Sequence, residues 1–198
     1  MLKEACDGVI VGSAIVRRLC EAESKPKDEV IQEVGITEQT FQAKLGVPDT
    51  DLIDYLTGLL MRFVRSDMVF KVRSLTGRPL TEVADMLIEA EARIGEAKRS
   101  VHHHVGDFLL FWSGVYPESL ARMQKADRKD HLLNYWVVGK QAYSKASELS
   151  AEEHSESEAE LLSKLSHEFE LCAYGLGEVR REWERRDQQG DSPQIIVM

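Results

Sequence analysis

Three consecutive histidines, His102, His103 and His104, with Asp107 just beyond in the stretch SVHHHVGDF, are the densest set of proton or metal ligands in this chain. On a helix, successive side chains point about 100° apart, so three in a row cannot converge on one ion. His103 and Asp107, four residues apart, share a face and could hold one ligand between them. His104 falls between Val101 and Phe108 in an apolar stripe and should point inward, where its ring needs a hydrogen-bond partner. Asp107, or His131, Tyr135 or His167 on a facing helix, would serve. This leaves a structural polar contact, a metal site, or a small-ligand pocket in which His104, Asp107 and Lys140 are the polar groups among Phe108, Phe111, Trp112, Tyr116, Tyr135, Trp136 and Tyr143. Carboxylate-bridged di-metal bundles use Glu-x-x-His pairs, and the chain contains none. No catalytic residue, metal or cofactor is therefore assigned. Cys172 sits in an apolar stripe and reads as an inert core residue.

A second candidate lies near the start, in ACDGVIVGSAIVRRLCEA. GVIVG is a continuous apolar run, as a strand buried on both faces requires. Gly12-Ser13 then opens a helical stripe of Ile15, Val16, Leu19 and Cys20. Unpaired backbone N–H groups at such a helix start favour an anion, and glycine allows its close approach. A plain helix cap is the alternative. The stretch resembles the C-terminal end of the tryptophan synthase alpha chain, a TIM barrel, over residues 1–34. That resemblance implies a last barrel strand at Val9 to Val11, a short helix from Ala14 to Glu21, a closing helix in KDEVIQEV, and phosphate binding at Gly12 and Ser13. The catalytic carboxylates of that family sit on early barrel strands, and a barrel needs about 200 residues or more. The expectation is a non-catalytic fragment, from a fusion, a misjoined product or recruitment as packing, without indole-3-glycerol phosphate lyase activity.

The composition sets outer bounds. Of 198 residues, 43% are hydrophobic and 30% charged, enough to build a core. The net charge of −9 argues against a nucleic-acid partner, which would need clustered Lys and Arg. The three cysteines, Cys6, Cys20 and Cys172, lack CxxC spacing and suit a reducing cytoplasm. The first residues lack the pattern of a secretory signal, and no run is apolar enough to span a bilayer, so no membrane partner is expected.

Beyond Gly35 the apolar period is helical throughout. Leu52, Tyr55, Leu56, Leu59, Leu60 and Phe63 make one face of a helix capped by Thr50 or Asp51. TGRP breaks the chain, with Pro79 suited to the first turn of the next helix. From Leu80 through Val83, Leu87, Ala90, Ile94, Ala97, Val101, His104 and Phe108 to Phe111, steps of three and four continue, which predicts one helix of about 50 Å. A further helix is expected from about Arg128 to Leu149, with Leu132, Tyr135, Trp136, Gly139, Ala142, Tyr143 and Ala146 on its apolar side. A second long stripe runs from Leu162 to Trp183. VGDFLLFWSGVYPESLARM followed by GKQAYSKASEL resembles a block in uncharacterised helical bacterial proteins, over about Thr37 to Arg186; this implies no activity.

The reading is an all-α antiparallel bundle with two long helices over residues 35–187, a barrel-derived segment over 1–34 and a flexible tail over 188–198. Its expected role is an interaction or self-association module, with homo-oligomers formed through the long seams. The alternatives are a lyase relative without its catalytic half and a ligand- or metal-binding bundle. Because every long stripe lies beyond Gly35, removal of residues 1–34 is expected to leave a single cooperative thermal transition, measurable by circular dichroism. Its loss would place that segment in the core.

Overall fold

The computed structural model describes residues 35–63, 72–74, 76–152 and 156–188. The expected strand, the Gly12-Ser13 turn and the tail beyond Gln188 lie outside these. The rest is helical apart from connections and one isolated antiparallel bridge, Arg73 to Pro79, so the all-α bundle is observed.

After a π-helical turn at Thr40–Lys44, α1 spans Thr50–Phe63. Its first turn is capped by Asp49, whose Oδ1 accepts the Leu52 N–H at 3.1 Å, rather than by Thr50 or Asp51. Leu52, Leu56, Leu59, Leu60 and Phe63 are buried, as the period requires. Pro79 lies in the bridge, and the next helix begins only at Val83. Proline has no N–H to donate and here closes a turn instead of opening a helix.

The predicted 50 Å helix is two helices, α2 (Val83–Glu91) and α3 (Gly95–Val115). Ile94 is extended and Gly95 takes a φ of +55°, a left-handed conformation that glycine adopts without steric cost. The chain turns there and α2 packs against α3. Ile94 consequently lies 87% exposed, although the uninterrupted stripe would have buried it. A short α4 (Pro117–Met123) follows, with proline in its first turn.

The helix expected from Arg128 begins instead as a 3-10 turn, Lys129–Leu132, and α5 runs over Tyr135–Glu152. Two carboxylate or amide groups cause the change. Asn134 Oδ1 accepts the N–H groups of Trp136 and Val137 at 3.1 and 3.2 Å and so starts α5. Asp130 is drawn inward to α2, accepting the N–H groups of Val83 and Ala84 at 2.9 and 2.8 Å and the Tyr135 hydroxyl at 2.8 Å. A carboxylate from a distant turn thus caps the start of α2 and meets its dipole. Leu132 is thrown outward as a result, 89% exposed.

The second long stripe is α6 (Glu156–His167) and α7 (Phe169–Gln188), separated only at Glu168. Helical hydrogen bonds from Glu168 N–H to the Lys164 carbonyl and from Cys172 N–H to the Glu168 carbonyl carry across the join. Pairings of Tyr143 with Asp107 and of Arg99 with Ser150 set α5 antiparallel to α3; α6 returns along α5, and α7 crosses the end of α3. Leu162, Leu165, Phe169, Cys172, Leu176, Val179 and Trp183 are all buried within the chain, so this seam is spent internally rather than on a second copy.

Replacing Asp130 with alanine strands two backbone donors and a phenol. It is expected to cost about 2 kcal/mol in urea unfolding, with Asp130→Asn losing less.

Candidate functional site

Asp107 is the polar centre of the bundle. It lies mid-way along α3, and its carboxylate is buried. Oδ1 accepts from the Tyr55 hydroxyl on α1 and, at 2.8 Å, from the Tyr143 hydroxyl on α5; Oδ2 accepts from Arg62 Nη2 at 3.0 Å. Three donors from two neighbouring helices therefore meet one carboxylate of a third. Burying a charge is costly unless it is paired and hydrogen-bonded, and here both oxygens are satisfied.

The residue before Asp107 admits this arrangement. A Cβ at Gly106 would meet the Tyr143 ring at 2.7 Å, so only glycine lets that ring lie flat enough on α3 for its hydroxyl to reach the carboxylate. On the other side, Arg62 lies over the Tyr55 ring, with its guanidinium carbon 5.2 Å from the centroid.

His103 joins the same group from its rim. Its Nε2 is 2.6 Å from the Tyr55 oxygen and 3.8 Å from Asp107 Oδ1. Tyr55 has a single O–H, already given to Asp107, so at the histidine contact its oxygen accepts and His103 Nε2 carries the proton. His103 and Asp107 thus lie on one face of α3, and both contact the Tyr55 hydroxyl of their own chain.

The environment pushes the phenols in one direction. Burial, and then the neighbouring Asp107 charge, hold Tyr55 and Tyr143 well above the ordinary tyrosine value. Burial alone would lower Arg62, but Asp107 more than offsets it and keeps the guanidinium more firmly charged.

The other sequence-predicted groups are placed elsewhere. His104 is buried, as its stripe position requires, and stacks on Phe63 at 5.9 Å beside Phe108 at 6.3 Å. The partners considered for it are committed to others: Asp107 as above, His131 to the Gln124 carbonyl, Tyr135 to Asp130 and His167 to the Ser163 carbonyl. Lys140 does not approach Asp107. Its ammonium reaches Glu170 at 2.6 Å on the outer surface, because Tyr143, three residues on, takes the inward position. A pocket built from His104, Asp107 and Lys140 together is therefore not formed. The aromatic end is filled by its own rings: Trp112 meets Phe108, Phe111 and Tyr116 at centroid distances of 5.6 to 6.1 Å. His102 is buried near Glu91, with Nε2 3.5 Å from the carboxylate, and burial lowers its pKa. Cys172 is buried, and its thiol is pushed up to about 12, by burial first and then by Glu168. Among the described residues no three His, Cys, Asp or Glu side chains gather as a metal ion requires, and no helix is long and apolar enough to cross a membrane.

What residue spacing did not identify is the triad around Asp107. Tyr55 and Tyr143 count as apolar in a hydrophobic stripe, and Arg62 as a solvated charge. The available signal was Asp107 itself, since a carboxylate one residue before buried Phe108 must find donors, and the two tyrosines carry them.

A groove is a further feature of the described surface. It has a volume of about 470 Å³ and lies at the corner where α4, the 3-10 turn and α5 meet, lined by Leu120, Gln124 and residues 131–136. Leu132, at 89% exposure, and Trp136, at 39%, border it. No family model, curated protein or solved structure matches this chain.

Asp107→Ala leaves Arg62 and two phenols without their acceptor and is expected to cost about 3–5 kcal/mol in denaturant unfolding, with Tyr143→Phe costing about 1 kcal/mol. Alkali offers a second test. The phenols of the folded chain hold their protons more tightly than those of the unfolded chain. Their contribution is therefore complete below about pH 10 and is lost as pH rises above it. The thermal midpoint is expected to fall across that range, and less steeply in Tyr143→Phe.

Proposed function

We propose that this chain is a helical binding module that receives a protein segment in the groove at the α4–α5 corner. The observation that carries the reading is the exposed pair Leu132 and Trp136 beside that groove. An exposed tryptophan next to a concavity is a frequent anchor of a protein interface, whereas scattered single apolar residues are ordinary surface. Asp107, in contrast, has both oxygens occupied by donors of its own chain, which favours a structural over a substrate-binding role. The long seams are likewise consumed inside the monomer, so association draws on the surface rather than on the stripes.

A photo-crosslinking residue placed at position 132 in the cell of origin is expected to give discrete protein adducts. The same residue at exposed position 148, near the far end of α5, should give none. Equal labelling from both positions, or none from either, would overturn the reading.

A further inference from the structure

Of the three consecutive histidines, His103 meets Tyr55 and His104 stacks on Phe63, while His102 stands at the joint between α2 and α3. It is 6% exposed, and among the described residues neither of its ring nitrogens has a hydrogen-bond partner. It lies three residues after Arg99 and four before Gly106, on the strip of α3 that meets Ser150 and Tyr143 of α5. From α2, the carboxylate of its last residue, Glu91, stands 3.5 Å from Nε2. A neutral imidazole is accommodated there at the cost of unmade hydrogen bonds. A charged one needs a counterion.

The surrounding charges supply that counterion poorly. Glu91 is already held by Lys98 Nζ at 2.7 Å, and its side chain is 66% exposed, so its charge is shared and solvated. Lys145 on α5 adds a second cation, itself paired with Glu148 at 2.9 Å. Arg99, one turn earlier on α3, is answered by Glu96 and Glu158, and Arg93 in the turn by Glu89. Each carboxylate around His102 thus already has its cation. Burial is the largest influence on the ring and lowers its pKa; Glu91 opposes it, while Lys98 and Lys145 add to it. The joint itself is short: α2 ends at Glu91, Ile94 is extended and Gly95 takes a φ of +55°.

We infer that His102 is an acid-sensitive latch: on taking up a proton it releases the C-terminal end of α2 from α3, while the start of α2 stays tied to Asp130. With the joint open, the ring is solvated and takes a proton at the ordinary imidazole value of 6.5. With the joint closed, it resists that proton. The closed form is therefore fully favoured above about pH 6.5 and loses ground as pH falls below it. This device does not depend on what fills the groove.

The test follows hydrogen exchange of the full chain by mass spectrometry at about pH 7.5 and about pH 5.5, corrected for the intrinsic rate at each pH. Protection over residues 84–95 is expected to fall up to about tenfold at the lower pH, the limit for one unit below the ordinary histidine value. Protection over residues 156–188 should change less than about twofold. His102→Phe keeps a ring but has no site for a proton, and should hold both regions constant. A second readout uses the unaltered chain: the His102 imidazole signals, followed by NMR, should titrate below about pH 6.5, together with the amides of residues 89–95. Titration of His102 at or above its ordinary value, or unchanged protection over residues 84–95, would overturn the latch. So would a loss spread equally over the bundle, or the same loss in His102→Phe.

Discussion

The carboxylate of Asp107 is the constraint around which the bundle is arranged. A charge at that depth is tolerated only if its oxygens are filled, and the fillers come from α1 and α5. Hydrophobic burial is indifferent to small slides of one helix along another. Hydrogen bonds between fixed atoms are not. Tyr55 and Arg62 thus fix the register of α1 on α3, and Tyr143, admitted by Gly106, fixes that of α5. The aromatic stacking of Phe63 on His104 and Phe111 then follows from the same register.

Asp130 performs a similar task at the start of α2. By capping α2 from a turn more than forty residues away, it ties the corner of α4, the 3-10 turn and α5 to the helix that packs on α3. The inward pull on Asp130 is matched by the outward display of Leu132 two residues later. The groove exists because a polar demand inside the protein determines which side chains remain outside.

The two buried carboxylates have their charges met within the bundle, while apolar area stays exposed at one corner. Around Asp107 the polar groups answer one another: tyrosine to aspartate, arginine to aspartate, histidine to tyrosine. At the corner, by contrast, Leu132 is 89% exposed, and Trp136, whose ring meets Phe169 on one side, is 39% exposed. That contrast puts the paired polar groups at the centre of the bundle and the exposed apolar area at one corner.

The sequence by itself determined the helical class, the buried faces of α1, α6 and α7, and the inward position of His104, because a period of three and four residues reports which side of a helix meets the core. It also brought His103 and Asp107 to one face. The tertiary structure alone decided where the long stripe breaks, since Gly95 is compatible with a continuing helix and with a turn, and only the packing of α2 on α3 selects the turn. It decided, too, that Lys140 faces outward to Glu170 and that Asp107 is met by Tyr55, Arg62 and Tyr143. Those partners stand 52, 45 and 36 residues away along the chain, beyond the reach of any local spacing rule. Pattern reports burial, whereas which buried polar groups meet depends on how the helices are laid side by side.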